Sequence, residues 1–495
     1  MEKAFRRGKL YLGKLVGLDL TRCSTLSRGD LLKYRDRILK GSVLRTTIWL
    51  AWPMIIANLI NISYNLADTF WLGKLGKADL AAPTVSWPLI MLFYSIGMGF
   101  SFAGATLISQ YVGAGEREYA NRCVGYLLGF MLTMSLSISL VGFIASPLML
   151  RVMGVPLDVL PKAVNYIRVI FAGIPLAFIG FAFIAILNSI GDTRTPTILS
   201  IISSLINVVL DPLLIFGWLG FPALGVMGAA IATIASRSIV SAIGLYLLTR
   251  GFAGIKVGFR DLFFKLWWLR HVVRIGTPLS IQRSANSLGF VIMMSLVSKM
   301  GTAVIATYGI GIRIIDVIQA FTWGIMRASS IMIGQNIGAE KYQRAEQIAF
   351  KNIALVSTLL SIGALLIYLG RGFIFAIFIN DPIVIEEGIK FVTFFIPSLP
   401  FFGLFFVAGA VAQGSGHPLI YTVISIIRLW ILRIGFSYLL GVFMGMGSVG
   451  IWIAMSISNM GAGIMALAWV MKGSWKQRVI EIPKARRVST IDSSE

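Results

Sequence analysis

Asn58-Leu-Ile-Asn61-Ile-Ser-Tyr64-Asn65-Leu-Ala-Asp68-Thr-Phe-Trp-Leu-Gly-Lys-Leu-Gly76 forms the second half of the first long apolar segment of the chain. Asn58, Asn61, Asn65 and Asp68 recur at steps of three, four and three, so on a helix they form one polar stripe along an otherwise apolar rod. A carboxylate deep in a membrane helix costs about 2.5–3.5 kcal/mol on insertion scales, which makes Asp68 a functional residue by default. The other segments are expected to build a chamber around it.

The remainder of the 495-residue chain fits a bilayer. It is 57% hydrophobic and 13% charged, with a mean hydropathy of +0.83, too apolar for a soluble globular protein. The net charge of +23 would point to nucleic acid in a soluble chain. Here the basic residues gather in loops and tails, where they orient helices, so no nucleic-acid partner is expected. Cys23 and Cys123 give no disulfide or metal framework, and His271 and His417 are too few for histidine-rich metal chemistry.

About twelve apolar stretches follow one another, each long enough at 1.5 Å per residue to cross a core of ~30 Å. They predict an all-α polytopic membrane protein. The expected divisions are a basic tail over 1–45, an N-lobe of six spans over 46–250, a linker over 251–270, a C-lobe of six spans over 271–472, and a basic tail over 473–495. The first forty residues hold no long apolar run, so a cleavable signal peptide is not expected. Lysine and arginine concentrate in the two tails and the linker, which places both termini on the cytoplasmic side of the cell membrane.

The two lobes read as copies of each other. Trp52-Pro53 against Thr277-Pro278, Asn61 against Asn286, Gly76 against Gly301, and Gln110-Tyr-Val-Gly113-Ala114 against Gln335-Asn-Ile-Gly338-Ala339 share a spacing of 225 residues. Six spans per copy give both lobes the same orientation, related by an axis along the membrane normal with a cavity between them. The acids break this symmetry: Asp68 aligns with Met293 and Asp211 with Arg433, so the acidic pair belongs to the first lobe alone.

Asp211 is followed by Pro212, whose missing N–H leaves the carbonyl of Val208 unpaired beside the amide of Asn207. Carbonyl, amide and carboxylate oxygens could form a cation cage of Asp68, Asp211 and Asn207, with Tyr166 adding a hydroxyl. Tyr64, Asn61 and Asn65 would face the cavity. Pro53 frees the carbonyl of Trp49 and could let the first helix bend, with Pro212 a second such point. In the second lobe Arg313 and Asp316 stand three apart and could pair on one helix face. Arg283, Arg428 and Arg433 are embedded without an evident partner.

Tyr64-Asn65-Leu-Ala-Asp68-Thr-Phe-Trp-Leu-Gly-Lys-Leu-Gly76, Gly191-Asp192-Thr193-Arg194-Thr195-Pro196 and Asn207-Val-Val-Leu-Asp211-Pro212 resemble motifs of the multidrug and toxic compound extrusion (MATE) transporters, nearest the DinF-like branch. The resemblance covers roughly residues 45–472. It implies a cation-driven antiporter that expels amphipathic, often cationic, compounds by alternating access, with Asp68 and Asp211 as coupling-ion residues. Another bacterial branch carries acids on its seventh and tenth helices, where this chain has Gln282-Arg283 and only the entrance pair Glu386-Glu387.

Three functions are weighed. An ion-coupled exporter of organic cations rests on the first-lobe acids. A lipid or lipid-linked-sugar flippase would use Arg283, Arg313 and Arg433 to hold phosphates. An intramembrane enzyme lacks a nucleophile with a base, a metal cluster and a cofactor motif. The exporter is expected to work as a monomer in the bilayer on small organic substrates, with no cofactor beyond a coupling proton or sodium ion.

Overall fold

The structure is a computed structural model that describes residues 28–75 and 77–481, leaving aside the side chains of residues 28–31, 65, 66 and 77–80. Among the described residues twelve long helical rods follow in order: α1 Val43–Gly73, α2 Lys77–Ala114, α3 Arg117–Val152, α4 Leu160–Ile190, α5 Arg194–Phe216 and α6 Val226–Thr249. The second six are α7 Leu266–Ser298, α8 Thr302–Gly338, α9 Tyr342–Leu369, α10 Pro382–Ser415, α11 Pro418–Phe443 and α12 Gly447–Lys472. Eleven of them are long and apolar enough to cross a membrane. The exception, α7, begins inside the expected 251–270 linker and carries Arg270, His271 and Arg274 in its first turns and Gln282, Arg283 and Asn286 at its middle, which dilute its apolar character. Likewise α1 begins at Val43, within the expected tail.

The duplication is visible in the packing. In the first lobe α1 packs on α5, α2 on α3 and α4, α3 on α4, and α6 on α4 and α5; in the second lobe α7 through α12 make the corresponding pairs. The lobes meet through another matched set, α2 against α7 and α8 against α1. As a result the first halves of α1 and α7 cross over. Leu50, Ala51 and Met54 of α1 are buried in the core of the second lobe, while Trp268, Val272, Ile275 and Leu279 of α7 are buried in the core of the first. Pro53 lies inside an unbroken α1 where it leaves the second lobe's core, and Pro278 lies at the same place in α7.

One end of the molecule is sealed. A Cβ on Gly113 would stand 2.0 Å from the carbonyl oxygen of Gln335, and one on Gly338 would stand 1.9 Å from that of Gln110, so α2 and α8 cross backbone against backbone. Around this crossing Gln110 Nε2 donates to the carbonyls of Gly414 and Ser415 (3.2 and 3.0 Å), Gln335 Nε2 to that of Ser189 (2.9 Å), and Thr106 Oγ1 to that of Gln413 (2.6 Å). A helix over Arg28–Lys40 caps the seam, its Arg35 donating to the carbonyls of Val112 and Gly113. Residues 473–481 fold back over the same end, where the Val479 amide donates to Gln110 Oε1 (3.1 Å) and Lys476 pairs with Glu346 (2.7 Å). Among the described residues no hydrogen bond joins the lobes at the opposite end.

At the sealed end Asp192 caps α5, accepting from the amides of Arg194 and Thr195 (both 3.1 Å). Burial pushes its carboxyl above the usual range, and these bonds oppose that push. The expected Arg313–Asp316 ion pair does not form: among the described residues no ion pair joins them, although both lie on α8.

Candidate functional site

Two groups of cavities lie between and within the lobes. In the first lobe, α1, α2, α4, α5 and α6 enclose a cavity of about 330 Å³ lined by Asn61, Tyr64, Tyr94, Asn207 and Arg237 among others. A neighbouring space of about 210 Å³ adds Asn58, Asn188 and Arg327, the last from α8 of the second lobe. The first half of the α1 stripe, Asn58 and Asn61, therefore faces a chamber, whereas the chamber expected around Asp68 does not include it. The side chain of Asn65 lies outside the described residues, and Asn58 Nδ2 is buried without a hydrogen-bond partner.

Asp68 and Asp211 stand one turn beyond Tyr64 and Asn207 on the packed pair α1 and α5, and neither lines the cavity itself. Asp211 is fully buried and Asp68 is half-buried, and the two are close enough for their charges to repel. One oxygen of each, Asp68 Oδ1 and Asp211 Oδ1, is buried with no hydrogen-bond partner. Such an oxygen forfeits its hydration without replacement, a cost that a bound cation or proton removes.

Asn207 is tied directly to Asp211. In the amide orientation that satisfies its neighbours, its Nδ2 donates to Asp211 Oδ2 (3.1 Å) and its oxygen accepts from the Thr233 amide (3.2 Å). The amide thus holds Asp211 in place. Tyr166 on α4 is buried within electrostatic reach of Asp68, Tyr64 and Tyr94. Pro212 lies one residue past Asp211 inside an unbroken α5.

Two residues not anticipated from the sequence change the charge of this lobe. Arg237 of α6 packs over the ring of Tyr94, 5.4 Å from its centroid, within electrostatic reach of Asp68. Arg327 lies 5.3 Å from the centroid of Phe102 at the boundary of the two lobes. Two guanidiniums therefore offset the charge of Asp68 and Asp211 in and beside this lobe. A lone arginine inside the apolar run of α6 was the signal available for Arg237.

The second lobe holds a separate cavity of about 270 Å³, lined by Arg283, Arg428 and Arg433 with Gln282, Trp323 and Phe405 among its neighbours. No acidic residue lines it. Among the described residues no group of three or more histidines, cysteines or acids stands together as a metal site.

A family model described as MatE matches residues 53–213 and again 278–439. The chain is 28% identical over 418 residues to the probable multidrug resistance protein YoeA of Bacillus subtilis, covering 84% of this chain and 90% of that one. It is 28% identical over 470 residues to a protein named FAD transporter of Shewanella oneidensis, covering 93% and 100%. To the probable multidrug resistance protein NorM of Thermotoga maritima it is 25% identical over 445 residues, covering 88% and 93%. Among solved structures it matches a MATE in the bent conformation with a TM-score of 0.83 and one in the straight conformation with 0.82, each at 24% identity over 89% of this chain and 98% of that one. At that identity the structural likeness speaks for the fold alone.

Proposed function

The chain belongs to the MatE family of multidrug efflux transporters, and on that premise we propose that it is an antiporter in which a cation taken up at Asp68 and Asp211 drives the export of amphipathic organic compounds. The observation that carries this reading is the pair of first-lobe carboxylates, each with one buried oxygen that bonds to nothing. A proton or a sodium ion there cancels their mutual repulsion and the cost of keeping a bare charge out of water. That difference gives an ion a preferred helix arrangement, which is the thermodynamic requirement for coupling.

The moving element is α1. Its first half is embedded in the second lobe and its second half packs on α5 of the first, with Pro53 at the join. Loading the ion lets the segment that carries Asp68 repack against α5 by bending at Pro53, which narrows the first-lobe chamber and disfavours cargo there. Ion and cargo then exchange without touching. The sealed end carries both tails, so it is taken as cytoplasmic and the conformation as outward-facing; the protein works as a monomer in the cell membrane.

The test is efflux of ethidium or norfloxacin from proteoliposomes under separately imposed proton and sodium gradients. Asp68→Asn and Asp211→Asn keep the side-chain volume and remove the charge, so each is expected to abolish gradient-driven efflux while the protein stays folded. Efflux at the wild-type rate in both variants would remove the coupling role.

A further inference from the structure

We propose that the cavity of the second lobe is a binding site for an organic anion, an aromatic body bearing a phosphate or carboxylate held by Arg283, Arg428 and Arg433. This rests on the transporter reading above and adds to it a second binding place, in the other lobe, for cargo of the opposite charge.

The first observation is charge without a partner. All three guanidiniums line one cavity of about 270 Å³ with no acidic residue in its wall. Among the described residues none of the three forms an ion pair. Arg428 is 7% exposed, and the Nε groups of Arg283 and Arg428 are buried with no acceptor. A guanidinium carries five donors and cannot shed its proton, so a buried one left unpaired costs several kcal/mol, and three in so small a space also repel one another. An oxyanion removes both penalties, and the planar fork of arginine matches phosphate and carboxylate oxygens two at a time.

The second observation is that the site is built. Arg433 is aimed by α12, its Nε donating to Ser458 Oγ (2.9 Å) and its Nη2 to Asn459 Oδ1 (2.7 Å), while Asn459 is itself fixed by donating to Ser398 Oγ (3.0 Å). The chain from Ile427 to Gly435 is a π-helix. On an α-helix at ~100° per residue, Arg428 and Arg433 would point about 140° apart. At roughly 4.4 residues per turn the π-helix reduces that to about 50°, so both reach the same cavity. Long π-helical turns are rare and cluster at functional sites.

The third observation is the wall. The guanidinium of Arg428 lies 4.9 Å from the ring centroid of Phe405, which stacks on Tyr421 at 4.8 Å, and that of Arg283 lies 5.8 Å from the ring of Trp323. Flat rings beside cations suit a flat, apolar body ending in a negative group. Duplication has reversed the polarity: Arg433 occupies the place that Asp211 holds in the first lobe, and Met293 the place of Asp68.

A lipid headgroup presents the same oxyanion, so the test separates the two sources. The protein in phosphatidylcholine nanodiscs, with no ion gradient, is titrated with methylumbelliferyl phosphate and with its uncharged parent, methylumbelliferone. Charge-assisted hydrogen bonds are worth about 1.5–3 kcal/mol, so the phosphate should bind roughly tenfold or more tightly than the parent. Arg428→Gln and Arg433→Gln should each lose about that factor for the phosphate and stay within about twofold for the parent, and Arg428→Lys should restore part of the loss. Asp68→Asn should bind the phosphate like wild type, so a failure of ion coupling leaves this result intact. The proposal is overturned if the phosphate binds no tighter than the parent, or if the two glutamine variants bind it as wild type does. A tenfold loss on replacing phosphatidylcholine by phosphatidylglycerol assigns the arginines to lipid headgroups and overturns the cargo; unchanged affinity supports it.

Discussion

In the first lobe one guanidinium and two carboxylates act on each other, so the uptake of a cation there depends on all three charges. Arg237 lies within reach of Asp68 and repels an incoming cation. Replacing it by glutamine should let the ion load at a several-fold lower concentration, read as a shift in the sodium- or pH-dependent tryptophan fluorescence of a protein whose chamber wall includes Trp87. An unshifted titration would place Arg237 outside the coupling site. Asn58, Asn61 and Asp68 stood out in the sequence because an acid or amide at helical spacing on an apolar rod has few structural reasons to be there. Arg237 and Arg327, each inside an apolar helix, carried the same signal, but in a chain of net charge +23 they were passed over with the basic residues assigned to orientation. The partnership of Asn207 with Thr233 joins two helices, and no spacing along one segment reveals it.

Among the elements, α2 and α8 cross backbone against backbone. Gly113 and Gly338 admit the opposite backbone, and a methyl group at either would stand at about half the ordinary contact distance from a carbonyl that cannot swing aside. Gly113→Ala or Gly338→Ala should therefore cost the sealed conformation about 1–3 kcal/mol and favour the one opened at that end. Hydrogen exchange over residues 106–114 and 331–338 is the measurement, and faster exchange in both segments is the expected result. This crossing was half legible: the Gln-x-x-Gly repeat marked the two places as equivalent but could not say that they touch. The π-helical second half of α11 was not legible at all, because its residues are as apolar as those of an α-helix and only tertiary packing sets the wider turn.

At the scale of the whole molecule, the twelve rods and their two-fold repeat followed from apolar length and from the constant spacing of matched residues, since a duplicated scaffold must bury the same faces twice. The crossover of α1 and α7 into each other's lobes was not expected, as nothing local says which half of a helix serves which core. The reversal of charge between the lobes has an electrical consequence. If a cation enters through the lobe of Asp68 and Asp211 while an anion leaves through the lobe of Arg428 and Arg433, both movements carry positive current inward. One-for-one exchange of monovalent ions then moves two charges per cycle, worth about 4.6 kcal/mol per 100 mV of membrane voltage at ~2.3 kcal/mol each. Exchange of a cation for a cation would move none. Recordings on a solid-supported membrane should therefore register an inward current when methylumbelliferyl phosphate is the cargo, and a cell with a negative interior would drive this transporter with its voltage even when its ion gradients have run down.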